Sequence, residues 1–388
     1  MDRMYIARKL EGRVTEMATF FPAVVVIGPR QVGKTSLVQA IRNQVDRFSV
    51  YLDLERERDL ATIDDLESYS EAHRDHLIIL DEIQRKPSLF PELRSIIDRH
   101  RSPGRFILLG SASLDLIRDA SESLAGRIAI LELTGLQMSE VSGVVTWQTL
   151  WLRGGFPQSL LAPSDKLSTA WRSFFVQTYL ERDLAALGLQ FSTTSMARLF
   201  TMVAHLSGQL LNTQSLSRSL GIDARTVERY LDFLEDTFLI RRLPPYYANV
   251  GKRLTKSVKL FLRDTGVLHQ QLGIVTEDDL LSHPIRGASF ESLVIEQVYA
   301  ARPPEVSLYF YRTYQGAEVD LVLVRGGVPY ATVEIKNAAN PKPAKGFYTA
   351  SDDLQVNRRY IVSGGDATPY LLKGGVEVVS LRDIHYLF

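Results

Sequence analysis

The chain has 388 residues, beyond the size at which one hydrophobic core usually stops growing, so two or three domains are expected. Its composition is ordinary for a globular protein, 45% hydrophobic and 23% charged, and the absence of cysteine excludes thiolate catalysis, thiolate metal sites and disulfides. Lysine plus arginine balance aspartate plus glutamate, 45 against 45, so any nucleic-acid contact must come from a local patch.

The N-terminal stretch MDRMYIARKLEGRV carries charge throughout and offers no signal-peptide core. The cleanest apolar runs, VVVI and LIIL, suit buried strands and fall far short of the roughly 20 residues that span a bilayer. A soluble, cytoplasmic protein with no membrane partner is the expectation.

The apolar, β-branched run PAVVVI predicts a strand buried on both faces, and SLVQAIRNQV has helical apolar spacing. Between them, Gly28 to Thr35 reads G-P-R-Q-V-G-K-T, the G-x-x-x-x-G-K-[ST] phosphate-loop pattern in its required strand, loop, helix order. Glycines let backbone amides approach phosphate oxygens, and the helix N-terminus adds partial positive charge. Gly28, Pro29, Arg30, Gln31, Val32, Gly33, Lys34, Thr35 and Ser36 are thus the expected ATP-binding residues. Lys34 reaches the β and γ phosphates, and the Thr35 hydroxyl ligates magnesium.

The next strong signal is HLIILDEIQ, an apolar strand ending in Asp81 and Glu82, where open α/β sheets place ligands. Asp81 is expected to hold the magnesium shell and Glu82 to orient and polarise the attacking water. FSVYLDL, RFILLGSAS and RIAILEL supply three further strands. From about Phe20 to Leu133 the sequence resembles an AAA+ type P-loop ATPase, in particular the bacterial and archaeal family joining such a domain to a C-terminal domain of unknown function. GPRQVGKTSLV, LDEIQRKPSLFPELRSIID, LLGSASLDLIRD and ESLAGRIAILEL carry the resemblance. It implies a sensor at Ser111, with Ser113 the competing choice, and an arginine finger at Arg127, donated within the chain or across a homo-oligomer interface, with Arg118 a substitute.

After RIAILEL, the turn-rich GGFPQSLL precedes a helical pattern beginning near Ala170. LNTQSLSRSLGIDARTVERYLDFLEDTFLIRRL then has the grammar of a helix-turn-helix. Thr213 is expected to cap the first helix, Gly221 to make the turn and Asp223 to cap the second, whose Val227, Tyr230, Leu231 and Leu234 face inward. FLIRRLPPYY and SVKLFLRD read as paired strands around a wing, giving a winged helix. From Arg241 to Arg263 there are seven basic residues and no acidic one, namely Arg241, Arg242, Lys252, Arg253, Lys256, Lys259 and Arg263. Arg225, Arg229, Lys252, Arg253 and Lys256 are the candidate DNA contacts; a protein partner is the alternative.

In the last third, FESLVIEQV is helical, and AEVDLVLV and YATVEIK read as strands joined by a glycine turn. Glu334 and Lys336, two apart on a strand, share a face. This arrangement resembles the PD-(D/E)XK nuclease fold, with Glu291, Asp320, Glu334 and Lys336 as the matching residues; carboxylates in such a centre converge on a metal that polarises the scissile phosphate.

The expected fold is therefore α/β: a parallel-sheet P-loop NTPase domain over 1–145, a helical and winged-helix domain over 146–275 and a small nuclease-like α/β domain over 276–388. The expected activity is magnesium-dependent ATP hydrolysis coupled to DNA binding or cleavage; the alternative is a nucleotide-controlled switch that binds protein partners without cutting DNA.

Overall fold

The computed structural model describes residues 5–42, 44, 47–110, 124–180, 192–247, 254–365 and 368–388. The chain divides into two compact units, Met1–Leu136 with Asp236–Phe238, and Gln137–Glu235 with Leu239–Phe388.

The first unit is built on five parallel strands: β1 (Ala23–Ile27), β2 (Ser49–Asp53), β3 (Leu77–Asp81), β4 (Phe106–Gly110) and β5 (Ile128–Glu132), in the order β2-β3-β4-β1-β5. Burial follows position. Central β1, β3 and β4 are buried at every residue, as their unbroken apolar runs require, whereas edge strands β2 and β5 are buried in part. The helix Lys34–Arg42 buries Leu37, Val38 and Ile41, and the helix Leu89–Arg99 buries Leu89, Phe90, Leu93, Ile96 and Ile97. Strand register aligns Ile27 with Gly110 and Glu132, and Asp53 with Asp81. The phosphate-loop sequence and the acidic pair thus leave the sheet at the same, C-terminal edge, with β4 between their strands.

In the second unit, the helices Thr213–Leu220 and Ala224–Asp236 are joined through Gly221, whose φ of 66° is the left-handed conformation that ends the first helix. Val227, Tyr230, Leu231 and Leu234 are buried as expected, with Phe233 added. The cap of the first helix is corrected: Asn212 Oδ1 accepts from Ser215 N at 3.0 Å, and Thr213 is already helical, its hydroxyl bonded to Glu228. Asp223 does serve the second helix, accepting from Thr226 N at 2.9 Å and Thr226 Oγ1 at 2.6 Å. Short antiparallel strands β6 (Gln209–Leu210), β7 (Ile240–Leu243) and β8 (Lys259–Leu262) pair in the order β6-β8-β7.

The same unit holds a six-stranded mixed sheet: β9 (Val306–Arg312), β10 (Glu318–Arg325), β11 (Val328–Lys336), β12 (Arg358–Ser363), β13 (Tyr370–Leu372) and β14 (Val376–Ser380), in the order β13-β14-β12-β11-β10-β9. β10 and β11 form the expected antiparallel hairpin, while β11, β12 and β14 run parallel. The helices Arg286–Ala301 and Lys345–Asp353 belong to this unit, and the latter buries Phe347 and Ala350 in a core with Val319, Val322 and Ile361. Among the described residues, no helix is long and apolar enough to cross a membrane.

Candidate functional site

The loop between β1 and the helix Lys34–Arg42 has the backbone that its glycines permit. Gly28 has φ 153° and passes so close to the residue after β5 that a Cβ there would lie 2.3 Å from the Leu133 carbonyl oxygen; Gly33 has φ 103°. Lys34 is buried and curls back over the loop, its Nζ donating to the carbonyls of Gly28 and Pro29, each at 3.0 Å. Burial pulls its ammonium down to about 8, against the opposing influence of Glu82 and Asp81.

At the end of β3, the Asp81 carboxylate is only 4% exposed. Its Oδ2 accepts from Thr35 Oγ1 at 2.8 Å and from Tyr51 Oη at 2.6 Å, and its Oδ1 accepts from Glu82 N at 2.9 Å. Burial raises the Asp81 carboxyl above its ordinary value, while the Tyr51 and Thr35 hydrogen bonds hold it back. Glu82 sits in the left-handed region, φ 57° and ψ 45°, a conformation costly for a non-glycine residue, and its carboxylate accepts from the Gln84 side chain. Strain at this position coincides with the residue expected to face the attacking water.

A magnesium ion fits these donors: Thr35 and Asp81, the hydroxyl and carboxylate expected to serve it, come from different elements and meet within hydrogen-bond distance. Arg8, without a motif to announce it, is buried against the loop. Its Nη1 donates to Val32 O at 3.2 Å and its Nη2 to Thr134 O at 2.7 Å and Gly135 O at 3.2 Å, tying the loop to the segment after β5. Tyr51 was legible as part of a strand but not as a partner of Asp81.

Arg127 is placed elsewhere. It precedes β5, and Ala23 N bonds its carbonyl, so it lies at the N-terminal edge of the sheet, opposite the phosphate loop. Its guanidinium pairs with Asp98, Nε to Oδ1 at 2.6 Å and Nη2 to Oδ2 at 2.8 Å. The expected finger acting within the chain is thereby corrected: the length of the strand separates Arg127 from its own loop. Ser111, Ser113 and Arg118 lie outside the described residues.

The expected nuclease centre is also regrouped. Glu291 on the helix Arg286–Ala301 and Asp320 on β10 come together, joined by Glu318, around the ammonium of Lys259 from β8. Lys259 Nζ lies 3.1 Å from Glu291 Oε1, 3.0 Å from Glu318 Oε1 and 3.8 Å from Asp320 Oδ1, and the lysine side chain is 4% exposed. Burial pulls Lys259 down, but the three carboxylates outweigh it and its net shift is upward. Burial pushes Glu291 up to about 7 despite Lys259. Glu334 and Lys336 pair with each other, Oε1 to Nζ at 2.8 Å, and Glu334 Oε2 accepts from Ala344 N at 3.0 Å. Asp320 Oδ2 accepts from Ile335 N at 2.9 Å. Among the described residues, no group of three or more histidine or acidic side chains is arranged to hold a metal ion. The centre already contains a cation, and it is a lysine.

The basic stretch is corrected in the same way. Arg241 and Arg263 both pair with Glu296; Arg242 pairs with Glu228, Asp232 and Glu235; Lys259 is in the acidic cluster. Four of the seven basic residues counted in sequence therefore meet acids that lie outside that stretch. Lys256, Arg225 and Arg229 are exposed, the last two on the second helix of the helix-turn-helix; Lys252 and Arg253 lie outside the described residues.

A five-stranded parallel sheet, a glycine loop opening a helix, and an acidic strand end beside it define the AAA-type P-loop class. Residues 21–142 match the family described as AAA domain, residues 145–278 match Domain of unknown function (DUF8612), and residues 286–384 match Domain of unknown function (DUF4143). The proteins Rv2008c of Mycobacterium tuberculosis and Mb2031c of Mycobacterium bovis are each 43% identical to this chain over 345 residues, which is 89% of this chain and 77% of theirs. The chain belongs to their family, AAA-domain proteins with these C-terminal extensions. Among solved structures it is similar to the Walker-type ATPase PABY2304 of Pyrococcus abyssi, 16% identical with TM-score 0.49 over 69% of this chain and 96% of that one. It is also similar to the STAND protein PH0952 of Pyrococcus horikoshii, 14% identical with TM-score 0.30 over 78% of this chain and 46% of that one.

Proposed function

We propose that this protein is a magnesium-dependent ATPase whose nucleotide state controls its C-terminal unit, acting as a switch rather than as a nuclease. The observation that carries the ATPase reading is the Thr35 hydroxyl held 2.8 Å from the buried Asp81 carboxylate, beside a lysine folded into the glycine loop. Lys34 exchanges the carbonyls of Gly28 and Pro29 for the β and γ phosphate oxygens, whose charge restores the full positive charge that burial weakens. The loop amides and the N-terminus of the helix Lys34–Arg42 hold the remaining phosphate charge. Glu82, aimed by its left-handed backbone and Gln84, accepts a hydrogen bond from the attacking water and orients it in line. When bound, magnesium neutralises charge on the β and γ oxygens.

DNA cleavage is left out of this reading because Lys259 neutralises the cluster that a nuclease metal would need. A second reading, nucleotide-controlled DNA binding, is favoured by the exposed Arg225 and Arg229 on the second helix of a helix-turn-helix. Under either reading a protein partner or self-association can set the turnover rate.

The test is ATP turnover by the full chain with magnesium and with EDTA, with and without duplex or single-stranded DNA, scoring the same samples for cleavage. Turnover that requires magnesium, is lost in Lys34→Ala and Glu82→Gln, and leaves DNA intact is expected. Stimulation by DNA that disappears in Arg225→Ala/Arg229→Ala would favour the second reading, and magnesium-dependent cleavage lost in Asp320→Asn would overturn the exclusion of nuclease activity.

A further inference from the structure

We propose that Tyr51 is a positioning residue for ATP hydrolysis: its phenol holds the Asp81 carboxylate in one rotation at the end of β3. This inference rests on the ATPase reading above. The geometry comes from strand register. β2 pairs in parallel with β3, placing Tyr51 opposite Ile79 and Asp53 opposite Asp81. Side chains two apart on a strand share a face, so Tyr51 and Asp81 project from the same side of the sheet, two register positions apart along it. A phenol leaning toward the C-terminal edge bridges that offset, and its Oη reaches Asp81 Oδ2 at 2.6 Å.

The same oxygen accepts the Thr35 hydroxyl at 2.8 Å, and Oδ1 accepts Glu82 N at 2.9 Å. These three donors come from the strand beside Asp81, from the helix after the phosphate loop and from the next residue in the chain. They are not equivalent. The Thr35 hydroxyl, with one proton and two lone pairs, can donate to Oδ2 while its oxygen serves the phosphate loop, so it is shared between two tasks. The Glu82 amide is fixed by a left-handed turn and constrains only Oδ1. Tyr51 is the second donor to Oδ2 among these three, and it comes from a neighbouring strand rather than from the phosphate loop's helix.

A charge-assisted hydrogen bond to one carboxylate oxygen selects one rotation of the carboxylate plane, so that a cation would meet a prepared ligand. The phenol remains a donor throughout the working pH range, since burial and then the Asp81 contact both push its own ionisation upward. Tyrosine meets this requirement and phenylalanine, identical in ring shape, does not.

The deciding experiment compares wild type and Tyr51→Phe, each also in an Asp81→Asn background, by binding of a fluorescent ATP analogue against magnesium concentration, with ATP turnover measured alongside. Binding of the analogue in EDTA and thermal melting serve as controls. Tyr51→Phe is expected to bind the analogue in EDTA as wild type does. Its magnesium concentration for half-maximal enhancement of binding and of turnover should rise about tenfold, the effect of one charge-assisted hydrogen bond. In Asp81→Asn, where no carboxylate remains to be turned, the same substitution should add nothing to the loss of magnesium-enhanced binding. Wild-type magnesium dependence in Tyr51→Phe, or an equal loss in both backgrounds, would overturn the assignment. A wild-type chain that binds no nucleotide and turns over no ATP would instead overturn the ATPase reading.

Discussion

Replacing Lys259 with methionine keeps most of the side-chain volume and deletes one charge, leaving Glu291, Glu318 and Asp320 around an apolar tip. Removing one partner of a buried ion pair costs about 3–5 kcal/mol, because the charges left behind remain out of water. The cost should depend on pH in a direction that Glu291 sets. Its folded pKa of about 7 lies above the ordinary 4.5, so in wild type the stability it contributes is present below pH 4.5 and is lost as pH rises through 7. Without Lys259, Glu291 is pushed higher still. That further rise enlarges the difference between variant and wild type by at most about 1.4 kcal/mol at pH 8, which lies one unit above the wild-type value. The chain has three tryptophans, Trp147, Trp151 and Trp171, all in the second unit, so tryptophan fluorescence in urea reports on the unit that carries the cluster. A deficit near 3–5 kcal/mol at pH 8 that shrinks at pH 5 is expected. A deficit below about 1 kcal/mol at pH 8, or one that ignores pH, would refute the reasoning that Lys259 is the cluster's cation.

Arg8→Ala strips hydrogen bonds from the carbonyls of Val32, Thr134 and Gly135, each about 1–3 kcal/mol if left buried and unmet. Calorimetry should show a lower melting temperature, and a binding titration weaker ATP affinity through the loosened loop. Arg127→Ala removes a solvent-screened pair with Asp98 and should leave stability and the turnover of dilute protein unchanged. A loss of turnover that grows with protein concentration would instead place Arg127 in a neighbouring subunit's site. Because burial lowers nucleotide-free Lys34 to about 8, the association rate of ATP should fall as pH climbs through that value, measured by stopped-flow binding. Lys34→Arg, whose guanidinium stays charged, should flatten this dependence.

The first unit was largely legible from sequence because its signals are local. Ala23–Ile27 and Leu77–Asp81 are unbroken apolar runs whose ends carry the loop and the acidic pair, and parallel register brings the two ends to one edge. The helix-turn-helix was legible for the same reason, with its stripe and glycine turn intact and only the cap displaced by one residue, from Thr213 to Asn212. Arg8 was not legible, since it contacts a carbonyl 126 residues away through a side chain with no motif around it. Tyr51 hid within a strand pattern that explains a tyrosine equally well by packing.

What the sequence alone determined is the α/β class and the phosphate-loop pattern with its acidic strand end; of the C-terminal cluster it named Glu291 and Asp320, but neither Glu318 nor the lysine they surround. What tertiary structure decided is who neutralises whom. Seven basic residues in one stretch look like a positive surface until Glu228, Asp232, Glu235, Glu291, Glu296, Glu318 and Asp320 are brought to four of them. The physical reason is range: a hydrophobic period repeats every few residues along the chain, whereas charge pairing depends on distances of 3–4 Å in space, which sequence separation does not encode.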